Sequence, residues 1–130
     1  MRHRKAKAWE LRLKSVFDEI DAELENRFGE RYSLHPSRPP RGKTSNPEMD
    51  GLFNVGASFS AGIGSKFGPG YVVDIRLSTL QRVPPELKQE LLDQVQAMLA
   101  EKLPVAFPGQ ELHVDFDRNH LRIHGDLSLD

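Results

Sequence analysis

Two runs of strict alternation constrain this chain more than any other feature of it. Phe53, Val55, Ala57, Phe59, Ala61 and Ile63 alternate with Leu52, Asn54, Gly56, Ser58, Ser60 and Gly62. Tyr71, Val73, Ile75 and Leu77 then alternate with Val72, Asp74, Arg76 and Ser78. A period of two puts apolar side chains on one face and polar ones on the other, the pattern of a half-buried antiparallel pair. The glycines at 64, 68 and 70 suit the reversing loop between the runs.

A second pair is written near the end of the chain. Leu112, Val114 and Phe116 stand against Leu121 and Ile123, with a turn over 117–120. If the turn is made by Arg118 and Asn119, Asp117 faces His120, Phe116 faces Leu121, Asp115 faces Arg122, Val114 faces Ile123 and His113 faces His124. Every apolar residue then meets an apolar partner. A slip by one residue would set carboxylates against leucines, so burial favours this register.

Each pair of strands is preceded by a helical pattern. Trp9, Leu13, Val16, Phe17, Ile20, Leu24 and Phe28 recur at spacings of three and four, predicting a long helix over 5–28 that Gly29 stops. Leu87, Leu91, Val95, Met98 and Leu99 form the stripe of a second helix, opened by Pro84 and Pro85 and ended at Pro104. The order is helix–strand–strand, twice. Two helices that need an apolar sheet face and two hairpins that offer one give an α+β two-layer sandwich: a four-stranded, mainly antiparallel sheet with both helices on one side and the other side open. The chain is a single domain of 130 residues, with the hairpin–helix–hairpin core over 51–127.

Between the first helix and the first hairpin the periodicity vanishes. Residues 30–50 carry Pro36, Pro39, Pro40 and Pro47, and from Arg31 to Pro47 they hold Arg31, Arg38, Arg41, Lys43 and His35 with no acid. This reads as a basic linker, mobile or draped on the surface.

Composition removes several classes. The chain has 18 Lys+Arg against 19 Asp+Glu, a formal charge of −1, which argues against a dedicated nucleic-acid coat. It has no cysteine, so disulfides, thiolate zinc sites and cysteine nucleophiles are excluded. No apolar run approaches the roughly 18 residues of a membrane span, and no secretory signal is visible, so a cytoplasmic protein without a membrane partner is expected.

The open face holds the candidate sites. His113 and His124 are register partners, close enough to share zinc or another divalent ion with Asp115 or Asp126 as third ligand; the competing reading is a solvated face in which Asp115 and Arg122 form an exposed pair. Asn54, Gly56, Ser58 and Ser60, beside Asp74 and Arg76, form a floor of small side chains, either a contact surface for a partner or ligand or a device for sheet curvature. Asp117, His120 and Arg122 complete that face. Gly42-Lys43-Thr44 lacks the upstream glycine of a phosphate loop, because position 37 is Ser37. No serine–histidine constellation stands out, and acids on an open sheet lack the environment that separates pKa values, so catalysis is not indicated.

The first helix is dipolar. Residues 1–14 hold Arg2, Arg4, Lys5, Lys7, Arg12 and Lys14 against Glu10, whereas residues 15–25 hold five acids and no base. Such a helix suits antiparallel pairing with a copy of itself, basic half on acidic half, in a homodimer. A basic arm of Arg2, Arg4, Lys5 and Lys7 touching nucleic acid is the alternative.

Residues 70–117 resemble the cytoplasmic ferredoxin-like domain of cation-efflux transporters, through the strand Tyr71–Leu77, the helix from Pro85 and the strand Leu112-His-Val-Asp. The resemblance implies dimerisation through the domain and divalent-metal binding, with His113 the one position that carries over. The sequence thus points to a small non-catalytic binding domain, homodimeric, using the open face and the first helix. A metal-responsive module and a nucleic-acid-associated protein are the alternatives.

Overall fold

A computed structural model describes residues 4–126, without the side chains of residues 4–6 and 48. The elements run α1 (Arg4–Phe28), a 3-10 turn (Pro47–Met49), β1 (Phe53–Ser60), β2 (Gly70–Leu77), α2 (Pro85–Ala106), β3 (Leu112–Asp117) and β4 (His120–Gly125). The four strands form one antiparallel sheet in the order β1-β2-β4-β3. Both helices pack on one face of it, as the segregation of side chains requires.

The second hairpin adopts the register that burial favours, from Asp117 opposite His120 to His113 opposite His124. Arg118 takes φ 61°, the left-handed backbone that the first residue of such a two-residue turn needs. The core joins Leu13, Phe17, Ile20 and Leu24 of α1 with Leu91, Val95 and Leu99 of α2, over Phe53, Val55, Val73, Leu121 and Ile123 of the sheet. Trp9 stacks between Tyr71 and Phe107, with centroids 5.1 and 4.7 Å away, and Phe59 meets the Tyr71 ring edge-on at 5.7 Å. This aromatic row starts in the core and ends at Phe59, which is 57% exposed on the outermost strand.

Three local expectations are corrected. The first alternating run stops being a strand at Ser60, and Ile63, 97% exposed, belongs to the loop. Leu52 is buried although alternation put it on the polar side, because it precedes β1 and follows Gly51, whose φ of 72° redirects the chain. Pro104 does not end α2. Proline costs a helix its own amide bond, and here the helix continues to Ala106 and closes with Phe107 N donating to Leu103 O at 2.8 Å.

The segment between α1 and β1 drapes over the acidic half of α1. Arg41 bonds the Asn26 side chain and the Ala22 carbonyl, Lys14 bonds Asp18 and Asn46, and Gly51 N donates to Pro39 O. The acids of α1 that sequence reasoning reserved for a second helix are therefore largely engaged within the chain.

Candidate functional site

The face of the sheet away from the helices is only partly open. The loop joining β1 to β2 folds back over it, closed so tightly on itself that a Cβ on Gly62 would collide with the Gly68 carbonyl. Ser65 donates its hydroxyl to Asp117 at 2.7 Å, and the Phe67 ring lies 4.5 Å from the His124 ring. Arg122 is the anchor beneath the loop. Its Nε donates to Asp117 at 3.0 Å, Nη1 to the Gly68 carbonyl at 3.2 Å and Nη2 to Ser60 Oγ at 3.3 Å.

This corrects two readings of the face. Arg122 is a buried residue, 7% exposed, not a surface for partners. Asp115 and Arg122 are register partners, yet Arg122 pairs with Asp117, and Asp115 takes His124 Nε2 at 2.7 Å instead. The physical reason is the loop: it draws the guanidinium toward its own carbonyl and toward the acid that its serine also binds. The Asp117 carboxyl is held below its usual range by the Ser65 hydroxyl, against the opposing effect of burial, with Arg122 and Arg118 adding to the Ser65 bond.

The predicted ligand trio does come together. The His113 and His124 rings lie 5.4 Å apart, with Asp115 on His124 and Glu111 3.5 Å from His113. Among the described residues, however, no group of three or more His, Cys, Asp or Glu side chains is arranged to hold a metal ion. The donor that His124 would offer points at Asp115.

Asn54, Gly56, Ser58 and Ser60 all lie on β1. Asn54 and Gly56 are half-buried, Ser58 is exposed, and Ser60 is drawn into the Arg122 cluster. Asp74 and Arg76 pair with each other at 3.0 Å and are exposed. His120 is exposed at the turn. Of the basic arm, Lys7 is exposed; Arg4 and Lys5 lie in α1 without described side chains, and Arg2 lies outside the described residues.

Sequence reasoning missed a second arginine cluster. Arg38, in the segment after α1, donates Nε to Gly51 O at 3.0 Å and Nη2 to Asp50 O at 3.0 Å and Phe53 O at 3.2 Å. Glu25 accepts the Phe53 amide at 2.8 Å. Thr44 gives Asp50 both its amide and its hydroxyl, at 3.0 and 2.8 Å. Burial alone would raise the Asp50 carboxyl, but the bonds from Thr44 and Gly42 and the charge of Arg38 hold it below its usual range. Asp21 is different. It is 2% exposed, one of its oxygens has no hydrogen-bond partner, and burial, with Glu25, Asp18 and Asp50 nearby, pushes it up to about 7. The signal was present in the sequence, as an acid-free basic linker directly after an acidic half-helix.

A further feature belongs to strand pairing. Ser78 N donates to Leu52 O, so residues 74, 76 and 78 turn their backbone groups toward β1, while Phe53, Val55, Ala57 and Phe59 turn theirs outward. Glu25 and Arg38 satisfy Phe53. Ala57 and Phe59 have no backbone partner on that edge among the described residues, and Val55 before them is fully buried. Here β1 carries neither charge nor proline, the usual means by which an edge strand is kept unattractive.

Comparison with known proteins agrees on the extent of this unit. A protein of Borreliella burgdorferi described as "Uncharacterized protein" is 39% identical over 107 residues, covering 82% of this chain and 84% of its own length. No solved structure gives a significant match. A family model described as "Uncharacterised protein" spans residues 4–125, from the start of α1 to the end of β4, and the chain belongs to that family.

Proposed function

We propose that this chain is a non-catalytic interaction domain that assembles as a homodimer through the outer edge of β1. The observation that carries the reading is the unpaired, uncharged edge at Ala57 and Phe59, ending in a large exposed aromatic side chain. An edge of this kind is a template for another strand. A second copy fits it by symmetry. Pairing about a two-fold axis at Ser58 sets Ala57 opposite Phe59 of the partner subunit and satisfies their outward backbone groups on both chains.

The direction of α1 fits the same partner. The second half of α1 lies by Phe53 through Glu25, and its first half lies over Tyr71, the register partner of Phe59, through Trp9. The helix therefore runs opposite to β1. Two-fold pairing sets the two copies of α1 antiparallel.

Ala57→Pro tests this. Its amide points outward, so proline removes an edge donor while leaving the β1–β2 ladder intact. Light scattering should give twice the chain mass for the natural protein and one chain mass for Ala57→Pro and for Phe59→Lys, with melting retained. A natural chain that stays monomeric over a wide concentration range overturns the proposal. If that monomer gains melting temperature with zinc, the metal-responsive reading on His113, His124 and Asp115 replaces it. Nucleic-acid binding that falls steeply with salt replaces it with the reading on the basic arm.

A further inference from the structure

A second unpaired edge lies inside the sheet. β2 has eight residues, but β4 pairs only with Gly70–Val73, because the β3–β4 hairpin turns back at Arg118 and Asn119. The phase set by Ser78 and Leu52 turns the N–H and C=O of Ile75 and Leu77 toward the space beyond that turn. They have no partner there among the described residues. The space continues as a cleft of about 140 Å³ beneath the first turns of α2, with Ile75, Leu77, Leu91 and Leu92 among its walls and Lys88 and His120 at its rim.

We infer that this cleft receives a short extended polypeptide segment bearing an acidic side chain, which joins β2 as a strand in line with β4. Each part of the occupant follows from one feature. The free backbone groups of Ile75 and Leu77 require an extended chain, since a helix has spent its own groups internally. The apolar walls take a side chain pointing toward α2. Charge sets the flanking residue: the one acid lining the cleft, Asp74, is engaged by Arg76, while Lys88 is exposed and has no ion-pair partner among the described residues. The site is on the opposite side of β2 from β1 and does not depend on dimerisation.

The test is selection of random heptapeptides displayed on phage against the full chain, followed by titration of the best synthetic peptide and measurement of backbone amide shifts. The expected result is enrichment of sequences in which apolar residues alternate beside Asp or Glu, with the largest shifts at Ile75 and Leu77. Lys88→Glu should weaken an acidic peptide by roughly fivefold, the effect of one exposed ion pair, and turn selection toward basic peptides. Ala57→Pro should bind as the natural chain does, which separates this site from the β1 edge. The inference is overturned if no sequence is enriched, if Lys88→Glu leaves affinity and preference unchanged, or if the shifts fall on Val55, Ala57 and Phe59.

Discussion

Two loops of this protein are each pinned by one arginine, and they are pinned in opposite senses. Arg38 belongs to its loop and reaches into the body, where it holds the carbonyls of Asp50, Gly51 and Phe53. Arg122 belongs to the sheet and reaches outward, where it holds the Gly68 carbonyl, Ser60 and Asp117. The first cluster sets one guanidinium among three buried carboxylates, Asp21, Glu25 and Asp50. The second sets one guanidinium on one. The excess of acid has a consequence: Asp21 is pushed up to about 7 by burial and by its acidic neighbours, while Asp117 is held low by Ser65 and Arg122. Asp21 and Asp117 therefore respond to pH in opposite directions, while Asp50, bound by Thr44 beside Arg38, is held low as Asp117 is.

Removing the first arginine is the severest way to break that comparison. Arg38→Ala leaves three backbone carbonyls without their donor and Asp21 and Asp50 without a nearby cation, and should cost about 3 kcal/mol in a denaturant melt at neutral pH. The loss should shrink in acid, where the carboxylates are neutral. A melt indistinguishable from the natural protein would mean that the segment after α1 is held by its other contacts alone.

Asp21→Asn should act in the other direction. Because the folded carboxyl titrates near 7 and its ordinary value is 3.8, the folded state holds the proton more tightly than the unfolded chain. The associated stability is fully present below about pH 4 and is lost as pH rises to about 7. An asparagine keeps the shape, carries no charge, and can donate to the acids around it. The substitution should therefore stabilise the protein at pH 8, on the order of 2 kcal/mol, and flatten the fall in stability between pH 4 and 7. Equal stability profiles for the two proteins would show that Asp21 reaches water in solution.

Much of this was written in the alternation. The register of the second hairpin follows from placing Phe116 on Leu121 and Val114 on Ile123, because any slip buries Asp115 or Asp117. The element order and the one-sided packing follow from the same segregation. The pairing of side chains on the polar face does not. Asp115 and Arg122 face each other in register, yet neither takes the other, because a loop about fifty residues earlier in the chain supplies Ser65 and the Gly68 carbonyl. Period-two logic has no term for a loop that folds over the sheet. The Arg38 cluster was half legible: the basic linker and the acidic half-helix were each visible, but the acids were assigned to a second copy when the nearest cations lay in the chain itself. Phe59 shows a third limit, since alternation assigns a face and says nothing about which strand is outermost.

The smallest expected effect probes the second arginine without touching it. Ser65→Ala removes the hydroxyl that donates to Asp117 and that accepts the Phe67 amide at 3.1 Å, while leaving Arg122 on Asp117 and on the Gly68 carbonyl. The global melt should scarcely move, because the core does not involve this loop. Hydrogen exchange at the amides of residues 65–68 should quicken by roughly fivefold, the measure of one modest hydrogen bond. The natural protein should show the same local opening when acid protonates Asp117, below its ordinary range near pH 4, where the Asp21 cluster is at its most relaxed. If exchange across 65–68 is already fast at neutral pH and unchanged by the substitution, the loop is not clamped. Arg122 would then lie under a cover that lifts freely, and the face of the sheet would be as open as the sequence alone implies.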